Sequence, residues 1–224
     1  MIQPFAEIEA LAAERKGGLA ALEAQLTAPA DLADLRALPD DRWLSQISLR
    51  VFQAGFNWSV IAKKWPAFEE AFEGFQPGRW ALASDEDLDR LLADRSIVRH
   101  AAKIRSVFDN ARFLTELAAE EGRPAGQIFA DWPSADYVGL LDLFKRRGSR
   151  LGGYTGQYLL RGIGKESFLL SPDVTAALIR AGVIDKPATS KGALAKVQAA
   201  FNTWGAESGR GLSAMSQILA RSIN

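Results

Sequence analysis

Apolar residues in this chain recur almost throughout at three- and four-residue spacing, and no stretch of useful length alternates apolar with polar. A half-buried strand needs a period of two and a half-buried helix one near 3.6, so this pattern predicts helices. Phe5, Ile8, Leu11 and Ala12 mark a first helix ended by Gly17-Gly18, and a second short one runs to about Leu26. Pro29 and Pro39 bracket a third. Asp40-Asp41 starts the next, with Trp43, Leu44, Ile47 and Val51 on one face. Another begins near Trp58 and is expected to break or kink at Pro66, which has no N–H to give. Ser84-Asp85-Glu86-Asp87 reads as a capping box ahead of Leu88, Leu91 and Leu92. Arg99 to Glu121 is the longest helical stretch, stopped by Gly122-Arg123-Pro124. Ser134 opens a helix with Tyr137, Leu140, Leu141 and Phe144. Thr189-Ser190 caps one through Trp204, and the last runs from Gly211 to Ser222. The expected class is all-α, with irregular connections and no fixed-period repeat.

Composition removes several chemistries. The 224 residues contain no cysteine and one histidine, His100. Disulfides, thiolate zinc sites, iron–sulfur clusters and cysteine nucleophiles are excluded, and little remains for a metal site or a serine–histidine–acid triad. Catalysis would rest on carboxylates, hydroxyls, aromatics and backbone dipoles, and no cofactor is expected. Nothing approaches the roughly 20 apolar residues of a membrane span. The N-terminus has no basic, then apolar, leader pattern, so a cytosolic protein is expected. Lys and Arg total 27 and so do Asp and Glu, giving zero net charge, which weighs against nucleic-acid binding. The distribution is uneven: an acid-rich start gives way to Arg95/Arg99/His100/Lys103/Arg105 and Lys145/Arg146/Arg147/Arg150. Each cluster is either a phosphate-contacting patch or a solvated helix face.

Three segments carry the remaining information. Leu49-Arg50-Val51-Phe52-Gln53-Ala54-Gly55-Phe56-Asn57-Trp58 ends one helix and, through Val60-Ile61-Ala62-Lys63-Lys64, starts another. Lys145 to Gly156 holds Gly148, Gly152, Gly153 and Gly156 between two helices. Such a turn lets backbone approach a phosphate at a helix start, and it equally serves as an ordinary helix end and link. In Leu169-Leu170-Ser171-Pro172-Asp173-Val174, Ser171 suits the cap, Pro172 the first helical position and Asp173 the helix dipole.

These segments, with Ile97-Val98-Arg99-His100, Lys103-Ile104 and Asp109-Asn110-Ala111-Arg112, resemble in their order the DNA-3-methyladenine glycosylase I family of the helix-hairpin-helix glycosylase superfamily. The resemblance covers roughly Trp43 to Ile184. It implies one glycosylase-like domain of two helical lobes flanking a cleft, a hairpin near 148–156, and segments 1–42 and 185–224 covering the core. It implies a monofunctional base-excision enzyme, expected as a monomer, that flips an alkylated purine, foremost 3-methyladenine, out of double-stranded DNA and hydrolyses its N-glycosidic bond. A catalytically inactive DNA-binding module of the same fold is the alternative.

Residue by residue, Asp173 is similar to the superfamily acid that stabilises oxocarbenium character or activates water. The family closest to this chain is not thought to depend on that acid as its relatives do. Trp58 matches the pocket tryptophan in Gln-Ala-Gly-x-x-Trp, and Arg50, Phe52 and Gln53 precede it. A core aromatic is the other reading of Trp58. Gly148, Gly152, Gly153, Tyr154 and Thr155, with Arg147 and Arg150, form the expected DNA-binding hairpin, and His100 and Lys103 are expected to line the DNA face. Two departures stand out. Arg50 occupies the place of a glutamate suited to a cationic purine, so it is expected to pair with an acid such as Asp173, to serve another base, or to point to solvent. The family's Cys/His zinc ligands have no counterparts, which makes this a zinc-free branch.

Overall fold

The computed structural model describes residues 2–223, which form fourteen α-helices and no strand. The chain opens with α1 (Phe5–Lys16), closed by Gly17 in the left-handed region at φ 86°, then α2 (Leu19–Glu23) and α3 (Leu32–Ala37). Next comes α4 (Asp40–Gln53), whose face of Trp43, Leu44, Ile47, Val51 and Phe52 is buried. Burying each of these apolar side chains contributes about 1.5–3 kcal/mol.

The helix α5 (Trp58–Ala71) continues through Pro66, so the break expected there does not occur. The proline removes the donor for the carbonyl of Ala62, but Ala62 is exposed, so water can replace that bond. The turns beyond it are held by Trp65, which stacks on Phe68 at 4.9 Å and on Phe75 at 5.4 Å. Two pieces that local pattern does not announce follow: α6 (Pro77–Trp80) here, and α9 below. The capping box of α7 (Asp85–Ala93) is present with both reciprocal bonds. The longest helix is α8 (Ala101–Glu121), ended by Gly122 at φ 66°. Then come α9 (Ala125–Asp131), α10 (Tyr137–Arg147), α11 (Tyr154–Ile163) and α12 (Pro172–Arg180). The chain ends with α13 (Lys191–Ser208), capped by Ser190, and α14 (Leu212–Arg221).

The helices fall into two compact units. One comprises Met1–Ala30, Trp132–Leu140 and Leu160–Asn224, and the other Asp31–Asp131 and Leu141–Leu159. In the first, α14 packs on α1, α12 and α13. Its centre is Phe168, stacked on Phe201 at 4.5 Å and capped by the hydroxyl of fully buried Tyr137, which donates to the Phe168 carbonyl. In the second, α8 is the central rod, with α4, α6, α7 and α9 packed around it. A run of rings through Phe52, Phe68, Phe72, Trp80 and Phe108 fills that core. No described helix is long and apolar enough to cross a membrane.

Candidate nucleic-acid interface

The site is built within the second unit, from the turn between α4 and α5. Gly55 takes φ 75°, a conformation costly for other residues, and Asn57 caps α5 by accepting from the Ser59 N–H at 2.9 Å. This reversal leaves Phe56, Trp58 and Val60 exposed together, with Trp58 at 44%. Three neighbouring large apolar side chains kept in water mark a contact surface better than a core.

Trp58 is exposed but not loose. Tyr158 of α11 meets it edge-on at 5.0 Å and 84°, and Tyr154, itself exposed, lies 6.3 Å from Tyr158. The Arg50 guanidinium sits 5.5 Å from the Trp58 ring centroid. One of its nitrogens, Nη1, donates to Gln53 Oε1 at 2.9 Å, while Nε is buried with no hydrogen-bond partner. Burial pushes the Arg50 pKa down. Arg50 therefore neither points to open solvent nor has a carboxylate partner within its unit. Gln53 is buried beneath it, which is a supporting place. Phe52, fully buried, packs against Phe68 at 4.6 Å. That places Phe52 in the core instead of on a pocket wall.

Lys103 has a structural task too. Its ammonium is turned inward, donating to the carbonyls of Phe52 at 3.0 Å and Ala54 at 2.5 Å, and lies 4.3 Å from the Phe56 ring centroid. It thereby satisfies carbonyls at the end of α4, where a cation also complements the helix dipole. Burial, then the nearby Arg150 charge, pushes its pKa down. His100 is exposed at the start of α8, edge-on to Phe56 at 6.5 Å.

The glycine-rich turn joins α10 to α11. A Cβ on Gly148 would lie 2.6 Å from Leu151 Cδ1 and 2.8 Å from the Phe144 carbonyl, so only glycine fits. Gly153 has φ 60°, whereas a Cβ on Gly152 would meet nothing closer than 3.6 Å. Arg150 also takes a positive φ, 62°, which costs a non-glycine residue on the order of 1 kcal/mol or more. Its Nε donates to the Ala102 carbonyl at 3.3 Å. Arg147 is held by Glu120 through two hydrogen bonds and Arg146 by Asp142, so those two charges are locally offset. Tyr154 is exposed and Thr155 half-buried in the first turn of α11.

Sequence reasoning missed two supports. Tyr158, which braces Trp58, carries no motif signal beyond sharing the face of Tyr154 one turn away. Fully buried Asn110 was quoted without a role, yet it fastens the turn: its side chain donates to the Ser149 carbonyl at 3.0 Å and accepts from the Ser149 N–H at 2.8 Å. In the other unit, Asp173 is half-buried in the first turn of α12, beside the Ser171 cap that accepts from the Val174 N–H.

The all-α fold is that of solved 3-methyladenine DNA glycosylases. The structure of 3-methyladenine DNA glycosylase I from Staphylococcus aureus aligns with a TM-score of 0.51 at 22% identity, over 56% of this chain and 77% of that one. Residues 36–130 match the model of the methyladenine glycosylase family. DNA-3-methyladenine glycosylase 1 of Escherichia coli is 35% identical over 78 residues, covering 35% of this chain and 41% of its own. The Haemophilus influenzae DNA-3-methyladenine glycosylase is 32% identical over 87 residues, covering 39% and 44%. The chain thus aligns with less than half the length of these curated relatives.

Proposed function

We propose that this protein is a monofunctional DNA glycosylase that takes a flipped, alkylated purine against Trp58 and hydrolyses its bond to the sugar. The exposed indole, held on edge by Tyr158 beside a glycine-rich turn, is the observation that carries the reading. A flat apolar ring gives an extruded base a stacking partner, worth roughly 1–3 kcal/mol. The turn offers α11 amides and the exposed Arg150 to the phosphates of double-stranded DNA. In the reaction, the bond between the base nitrogen and C1′ breaks with its electron pair going to the base, and water adds its oxygen at C1′ and gives up a proton. A cationic alkylated purine leaves as the neutral base and that proton goes to solvent, whereas a neutral purine takes the proton up. Asp173 is the carboxylate proposed to stabilise the oxocarbenium character of the sugar or to activate that water. The relatives' names supply 3-methyladenine as the first base to test.

A DNA-binding module without chemistry is the second reading, favoured by Arg50 beside the stacking ring and by the acids that offset Arg146 and Arg147. Base release from methylated duplex DNA, with the freed bases separated and identified, decides between them. A glycosylase releases methylated base, and Trp58→Ala and Asp173→Asn slow it. Salt-sensitive binding with no release of any base establishes the module.

A further inference from the structure

We propose that Arg50 makes the Trp58 face select a neutral purine presenting a carbonyl oxygen beside a ring nitrogen, as hypoxanthine does, over a purine cation. The inference rests on the proposed reading in one respect, that a flipped base lies on Trp58. It does not depend on that base being cleaved.

Four observations converge. The guanidinium stays protonated near neutral pH even where burial lowers its pKa. Its hydrogen-bond partner in the unit is the neutral Gln53 amide, so no carboxylate of that unit cancels the charge. It lies 5.5 Å from the Trp58 ring centroid, so the protein's own cation already engages the indole face that would attract a cationic base. Its Nε is buried with no hydrogen-bond partner, and a buried donor is destabilising until an acceptor reaches it.

The surroundings add to this. The ammonium of Lys103 lies over Phe56 on the same turn, and Arg150 is near enough to depress its pKa. A further positive charge arriving beside the half-buried Arg50 meets repulsion. An acceptor-bearing edge meets the opposite. A carbonyl oxygen and adjacent ring nitrogen match the guanidinium fork, the geometry by which arginine reads the O6 and N7 of a purine.

The test is binding of two free probes to the full chain at neutral pH: hypoxanthine, and 3,9-dimethyladeninium, a cation there. Binding is followed by the indole N–H signal that Trp58→Ala removes. Wild type is expected to bind hypoxanthine about tenfold or more tighter than the cation, with Arg50→Gln bringing the two within about threefold. Gln keeps a polar side chain against Gln53, and an unchanged melting temperature verifies the fold. Equal affinities in wild type, a reversed order, no binding of either probe, or a preference that survives in Arg50→Gln would each overturn the proposal. Duplexes with one deoxyinosine, and methylated duplexes, separate this inference from the glycosylase reading. No release from any duplex, with the binding preference intact, refutes only the glycosylase. Release of 3-methyladenine without any binding preference refutes only the role given to Arg50.

Discussion

Asn110 and Ser149 exchange two hydrogen bonds across 39 residues of chain, tying the glycine-rich turn to the middle of α8. Both backbone groups of Ser149 are satisfied by one fully buried amide side chain. Asn110→Ala removes both bonds and leaves Ser149 N–H and C=O unsatisfied, at about 1–3 kcal/mol for each group that stays buried. A lower urea midpoint is expected, with weakened DNA binding because the turn loses its anchor. An unchanged midpoint would mean that the turn holds itself.

Gly126 is expected to tolerate no side chain. A Cβ there would lie 2.3 Å from Trp43 Cδ1 and 3.0 Å from Asp40 Oδ1. The contact is close because the Asp40 carboxylate accepts from the backbone N–H groups of Ala125 and Gly126, capping α9. Gly126→Ala must push α9 away from Trp43, and overpacking of this kind typically costs about 1–3 kcal/mol. The melting temperature should fall although alanine favours a helix more than glycine does. A rise would show that α9 shifts freely.

The same contact explains what the sequence made legible. Helices that announce themselves do so locally: Ser84, Ser171 and Ser190 each cap where a capping residue precedes an apolar periodic run. The α9 helix is started by a carboxylate 85 residues earlier in the chain, and no local pattern carries that information. Pro66 misleads for a related reason, since local chemistry argues for a break while aromatic stacking holds the helix together. The candidate site divides similarly. Trp58 and the glycines were visible as motif, but Tyr158 and Asn110 matter through contacts made only once the chain has folded. Lys103 and Phe52 fit the motif as residues, yet their side chains turn inward.

Asp87 ties the α7 cap to acid stability. The Arg79 guanidinium is the main reason its pKa falls from the ordinary 3.8 to about 2. A depressed carboxylate contributes stability fully above its unfolded pKa, and loses it as pH drops through the folded value. Asp87→Asn should therefore be less stable than wild type at pH 5, with the difference shrinking between about pH 4 and pH 2. Urea midpoints measured on both proteins across that range test this. A difference independent of pH would assign the effect to the cap hydrogen bonds alone.

Lys103 separates a structural cation from a DNA-contacting one. Its ammonium reaches the carbonyls of Phe52 and Ala54 at the end of α4, immediately before the turn that presents Trp58. Lys103→Met keeps much of the stem's packing and deletes both bonds, leaving carbonyls sheltered from water at a helix C-terminus. The expected result is a loss of about 1–3 kcal/mol in stability, with the salt dependence of DNA binding unchanged. A phosphate ligand would behave in the opposite way, lowering the slope of log affinity against log salt by about one while barely affecting stability. Measuring the slope and the denaturation midpoint on the same variant decides the role, and a reduced slope with full stability would move Lys103 to the DNA face.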